Sequence, residues 1–280
     1  KNVAVGSLAL DANTTGSDAV AIGYGALGSN TTGGLSVAIG KNALTANTTS
    51  NAQVAIGEFA LTANTTGTRN VAIGSSTLRV QTTVNDNTAI GYQSNRYNTT
   101  GSENTSVGSF SLGANTTGGQ NTALGESALI SNTTASNNTA VGKSALEANT
   151  TGSANTAVGS ISLDANTTGS SNNAFGRAAL GANTTGSDND AFGHNALAAN
   201  TTGASNVAMG HEALYNNTTA SNNTAIGLAA LKANTTGDSN TGVGTGAGEN
   251  ITTGTNNVLV GMNAGAHNVS MSTGSNNVLV

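Results

Sequence analysis

A glycine ends a short apolar step at Gly6, Gly23, Gly40 and onward to Gly261, and each lies 17 residues after the last. Sixteen units follow one another with no insertion or deletion. Such a register constrains the chain more than any local propensity, because an internal repeat fixes the architecture before its elements are assigned. Numbered from that glycine, the unit reads Gly-x-x-Ala-Leu-x-Ala-Asn-Thr-Thr-Gly-Ser-x-Asn-[Thr/Val]-Ala-[Ile/Val]. Position 17 is always apolar, position 16 is nearly always Ala, and position 5 is Leu in thirteen of the sixteen units. Charges gather mainly at positions 2, 3, 6, 12 and 13, which marks those as solvent positions.

Seventeen residues are too few for two helices and a turn, and Gly, Asn, Thr and Ser are poor helix formers. Two short apolar stretches, positions 15–17 and 4–7, read as strands separated by corners. Position 1 and the Asn-Thr-Thr-Gly at positions 8–11 supply those corners, glycine through its access to positive φ and Asn and Thr through bonds to the turn backbone. The fold class is therefore all-β, a parallel β-solenoid of sixteen 17-residue coils. Stacking at about 4.8 Å per coil predicts a rod of roughly 75–80 Å. The chain has no proline, as expected when every strand must donate to a neighbouring coil. Alternation along the strand places positions 15 and 17 inside and the position-16 alanines outside. A uniform small apolar outer face predicts close contact with further copies of the chain, a side-by-side homo-oligomer.

Composition removes several functions. There is no Cys, so no disulfide framework, thiolate metal site or thiol nucleophile. Eight basic and thirteen acidic residues are spread along the chain without a basic run, which argues against nucleic acid. The apolar runs are too short for a membrane span. No enzyme activity, cofactor or metal is expected.

The residues Asn138 to Leu146, Asn-Thr-Ala-Val-Gly-Lys-Ser-Ala-Leu, resemble the head repeats of trimeric autotransporter adhesins. The stretch Asn256 to Gly265, Asn-Asn-Val-Leu-Val-Gly-Met-Asn-Ala-Gly, is nearer the repeats of trimeric phage tail fibres and related bacterial surface fibres. The resemblance covers all sixteen units. It implies a left-handed parallel β-roll, a homotrimer, and an extracellular role on a virion fibre or cell surface, with a surface glycan or receptor as a possible target. The adhesin head unit is usually shorter than this repeat. The chain opens in mid-unit at Lys1-Asn2-Val3 and stops at Val278-Leu279-Val280, which predicts a longer parent protein. Residues 1–265 read as the solenoid and 266–280 as an irregular last unit, because the next expected Gly is 20 residues past Gly261.

Candidate chemistry is sparse. The carboxylates Glu147 and Asp164 share position 6 one coil apart, and Arg69, Asp86 and Glu103 share position 13. All read as solvated charge, and no Trp exists to form a sugar platform. His194 and His211 share position 2 and should stack; exposed imidazoles are the plainer reading than nitrogen ligands. Asp190 stands at position 15 beside Asn173, where burial would be costly and a strand-end Asp reaching water is the simpler account. The least regular stretch is 75–98. There Arg79 and Arg96 share position 6, with Tyr92 and Tyr97 nearby, and together they form the best candidate for gripping an acidic sugar or carboxylate. Asn-Thr-Thr also satisfies the N-glycosylation acceptor rule.

One exchange is informative about packing. Gly248 and Gly265 replace Leu at position 5 where Leu259 replaces Ala at position 16, so these positions should pack together. The leading functional expectation is a structural shaft or head segment of a trimeric fibre or adhesin. The alternative is an ice-binding solenoid using its Thr ladders, and a polysaccharide-degrading tailspike ranks behind both.

Overall fold

The computed structural model describes residues 1–266 and 272–280. They form two compact units, Lys1–Asn138 and Thr139–Val280. In the first, β1 (Val3–Val5) to β8 (Thr122–Leu124) are each three residues long. In the second, β9 (Thr139–Val141) to β16 (Val258–Val260) follow the same plan, and β17 (Val278–Leu279) closes the chain. Within each unit every strand pairs in parallel with the next, up to β16 at a shift of one 17-residue coil, as in Val20↔Val37 and Thr156↔Asn173. Among the described residues none is helical, and the chain is a parallel β-solenoid. The corners are laddered as well: Thr31 N–H donates to the Thr48 carbonyl at 2.8 Å, and Leu27 N–H to that of Ala43 at 3.1 Å.

The facing of the strands corrects the sequence expectation. Position 16 points inward and is fully buried at Ala38, Ala55, Ala191 and Ala208, whereas positions 15 and 17 face outward and are half-buried or exposed. The small-residue face is thus the core. Position 5 explains why. Its leucines, such as Leu44 and Leu197, reach into the coil from the opposite wall and are fully buried. They leave room at position 16 for little more than a methyl group. At Gly242 an added Cβ would already sit 2.9 Å from Leu231 Cγ. The β-branched bulk of positions 15 and 17 does not fit inside, so the strand turns it out.

The expected contact between positions 5 and 16 is present within one chain. A Cβ on Gly248 would lie 3.3 Å from Leu259 Cδ1. Leu259 therefore fills the space that a position-5 leucine fills elsewhere.

Half of the core is polar. The position-8 residues, placed at corners by sequence, and the position-14 residues aim their side chains inward and are buried, most of them completely. Asn183 Nδ2 donates to Asn166 Oδ1 at 2.9 Å and to the Gly186 carbonyl at 3.0 Å. Asn172 Nδ2 donates to that same carbonyl at 2.9 Å. Two amide columns thus converge on the position-11 carbonyl, and the pattern recurs at Gly118 with Asn115 and Asn104. Burying an amide is costly unless it is so bonded. The position-8 asparagines are also those of the Asn-Thr-Thr glycosylation motif, and a glycan on one of the buried ones is incompatible with the folded coil.

Backbone conformation departs from expectation at the corners. Position 1 needs glycine, with φ of +134° at Gly40 and a prospective Cβ 2.6 Å from the Gly57 carbonyl carbon. Position 11 does not have positive φ; there glycine answers close approach, a Cβ on Gly101 lying 2.1 Å from the Gly118 oxygen. Left-handed φ falls instead on positions 3, 5 and 13, including Leu44 at +53° and Leu197 at +52°. That conformation costs an L-residue about 1–2 kcal/mol, comparable to the roughly 1.5–3 kcal/mol from burying a leucine, so burial holds the turn in place.

Coil 6 carries a polar fault in this core. Asn95 replaces the position-5 leucine, is fully buried, and neither atom of its amide has a partner among the described residues. Beside it in the chain Ser94 Oγ lies 2.6 Å from Ser106 Oγ and 2.9 Å from Ser111 Oγ. Asn95→Leu should raise stability by about 2 kcal/mol, since it removes an unsatisfied amide and restores a buried leucine, less some left-handed strain. A denaturant midpoint unchanged or lowered would count against this account.

Of the expected irregular unit, residues 267–271 lie outside the described ones. From Ser272 onward the pairing of the coil resumes at a spacing of 20: Thr252 N–H donates to the Ser272 carbonyl, and Val258 pairs with Val278.

Candidate binding site

Of the four residues singled out by sequence, Arg96 and Tyr97 line one notch, and Arg79 and Tyr92 lie outside its lining. Arg79 lays its guanidinium over the Phe59 ring, 5.1 Å from the centroid. Tyr92 meets Phe110 edge to face at 5.3 Å and accepts a 2.6 Å bond from Gln93 Nε2. Arg96 and Tyr97 do come together, the guanidinium 5.0 Å from the ring centroid.

Those two line a notch of about 160 Å³ together with Gln93, Phe110, Gly113, Ala114 and Ile130. Column geometry explains it. Arg96, Gly113 and Ile130 occupy position 6 in successive coils, so Gly113 leaves a gap between two long side chains. Gln93 and Phe110 come from position 3, and Tyr97 and Ala114 from position 7. The backbone does not demand glycine here: Gly113 lacks positive φ, and a Cβ would come no nearer than 3.0 Å, to the Phe110 carbonyl oxygen.

The guanidinium in the notch is held but not neutralised. Arg96 Nη1 donates to Gln93 Oε1 at 2.8 Å, and its Nε is buried without a partner among the described residues. Gln93 is itself anchored on Tyr92, so Tyr92 acts one step back from the site. Sequence reading missed Gln93, Phe110, Gly113, Ala114 and Ile130. The signal that could have found them is the glycine at position 6 when the coils are laid over one another.

A second glycine notch, about 300 Å³, opens at Gly28, between Leu8, Asp11, Tyr24, Asn42 and Thr45. Its charged lining residue is Asp11 rather than an arginine.

The other candidates resolve as surface chemistry. Arg69 forks onto Asp86 at 2.7 and 2.8 Å; this bond holds the Asp86 carboxyl below its usual range and the guanidinium above its own. Both are well exposed, so the pair adds little. Asp164 is pushed up, first by burial and then by the neighbouring Glu147 charge. His194 and His211 stack at 5.2 Å, and Arg177 Nη1 lies 3.2 Å from His194 Nε2, which occupies that nitrogen. Among the described residues no group of three or more His, Asp or Glu could hold a metal ion. Asp190, in β12 (Asp190–Phe192), faces outward and accepts a 2.8 Å bond from Asn173 Nδ2.

Fold and surface together define a β-solenoid repeat protein. No protein-family model matches the chain, and a search of curated proteins finds no significant match. No described helix is long and apolar enough to cross a membrane.

Proposed function

We propose that the chain is a structural segment of an extracellular trimeric fibre or adhesin, on a virion or a cell surface, whose role is mechanical rather than catalytic. The observation that carries this reading is the apolar ridge at position 17. In the second unit Phe175, Phe192, Met209 and Ile226, from four successive coils, each expose between 36% and 46% of their surface on the outer side of the strands; in the first unit Ile22 and Leu124 each expose 37%, and the position-17 residues between them are half-buried. Exposed apolar surface that runs on in this way marks an interface. Phe175 and Phe192 stack on one another at 4.9 Å and 7°, so each lends a ring face to the ladder. What they offer outward is mainly ring edge, which suits packing against another chain better than stacking on a sugar. The interface is therefore assigned to the β-branched and aromatic ridge, not to the alanines. The resemblance of the repeat to trimeric fibre repeats supports the number three.

Light scattering on the purified chain is expected to give three times its 27.1 kDa mass. Lysine in place of Ile22 and Ile226, one in each unit, should return the mass to that of one chain with an unchanged β spectrum. A wild-type monomer would sink the proposal.

The ice-binding alternative has less support. The position-9 hydroxyls are already engaged, Thr184 Oγ1 donating to the Thr201 carbonyl at 3.0 Å. That leaves position 10, at Thr185, Thr202 and their equivalents, as the exposed column of the pair.

A further inference from the structure

We propose that the notch at Gly113 is a binding site for a small monocarboxylate with a flat, apolar body. Three observations meet there. First, the cationic group is preorganised and unsatisfied. Arg96 is clamped by Gln93 Oε1 through Nη1 and backed by the Tyr97 ring, while its Nε is buried without a partner. Among the described residues it forms no ion pair. With Nε closed off, the N–H groups left to offer are on Nη1 and Nη2, and a carboxylate matches their fork. Second, Arg79 stands one coil away in the same column, with its cation over Phe59 rather than on a carboxylate. Two neighbouring arginines without an acidic partner leave a local positive potential that favours an anion.

Third, the rest of the lining is apolar and the space is small. Phe110, Ile130, Ala114 and the Tyr97 ring line an open notch of about 160 Å³, room for a single substituted ring. These walls select against a sugar, whose hydroxyls would be desolvated there without partners. The ligand chemistry is one charged, planar end for Arg96 and one apolar end for Phe110 and Ile130. Gly113 is the determinant of the site, because side chains occupy the same column in the coils before and after it. The inference does not depend on the fibre reading, and a chain of any oligomeric state could carry it.

Benzoate is the probe, with benzamide as its uncharged isostere, titrated by calorimetry into the full chain. Benzoate should saturate with an affinity on the order of 1 mM, as fits so small a ligand. Benzamide should bind at least about tenfold more weakly, since it cannot form the charge-assisted fork. Arg96→Gln and Gly113→Leu should each weaken benzoate by about tenfold or more, the first by removing the fork and the second by filling the space. Arg96 projects from an outward column, so its variant should keep the wild-type fold by circular dichroism even if the Gly113 variant does not. The notch at Gly28 provides an internal control, because Asp11 there repels the same probe. The proposal is overturned if benzoate fails to saturate at ten times the expected constant. It is also overturned if Arg96→Gln binds benzoate as the wild type does, or if benzamide binds equally well.

Discussion

Asn183→Asp is expected to destabilise the second unit by about 3–5 kcal/mol at neutral pH, although it changes a single buried atom from nitrogen to oxygen. The amide it replaces donates to Asn166 Oδ1 at 2.9 Å and to the Gly186 carbonyl at 3.0 Å, and its own Oδ1 accepts from Asn200 Nδ2 at 2.9 Å. In the aspartate the two donated bonds become oxygen–oxygen contacts, and a charge is enclosed with one donor facing it. Burial and those oxygens would raise the folded-state pKa of the new carboxyl above its value in the unfolded chain. The sign of the pH dependence follows. The penalty is complete above the folded-state pKa and shrinks as pH falls through it, because the neutral acid can donate one bond. Asn183→Ala provides the comparison: it leaves the Asn166 oxygen unpaired but encloses no charge, at about 1–3 kcal/mol. Denaturant unfolding at neutral and acid pH, with hydrogen exchange to locate the weakened coils, would read the effect. If the aspartate costs no more than the alanine, the amide columns are not what secures the core.

The second large effect is a coupling. Leu259→Ala alone should cost about 2–4 kcal/mol, because it empties space that no position-5 leucine fills in that coil. Gly248→Leu alone should cost about 1–3 kcal/mol through overpacking, since even its Cβ would stand 2.7 Å from Leu231 Cδ2 and 3.3 Å from Leu259 Cδ1. Together they restore the arrangement of the other coils and should come within about 1–2 kcal/mol of the wild type, the remainder being left-handed strain on leucine at the +63° of Gly248. A double-mutant cycle measures this directly. Additive penalties would mean that the two positions do not share one space.

Much of this fold could be read along the chain. A strict period of 17 places the strands, and the apolar triplets ending at Ile39, Ile56 and Ile73 predict parallel pairing in register, as found. The exchange between Gly248 and Leu259 even identified a core contact. Other features were hidden in plain sequence. The asparagines of Asn-Thr-Thr-Gly look like turn residues, and only the closed coil shows that their amides face inward. Tyr92 and Arg79 look like partners of Arg96, yet side-chain conformation sends Arg79 to Phe59 and leaves Tyr92 to brace Gln93. The notch needed a residue with no side chain at all, Gly113, seen beside neighbours 17 residues away on either side.

The amino-acid sequence by itself determined the repeat length, the strand positions, the parallel register and the absence of any proline that would interrupt the ladders. Tertiary structure alone decided which side of each strand is the inside. A three-residue strand presents one residue to one face and two to the other, and hydrophobicity does not choose between Ala38 on one side and Val37 with Ile39 on the other. Space chooses. Leu44 crosses the narrow coil from the opposite wall, a methyl group is what fits against it, and the bulkier pair is left on the surface.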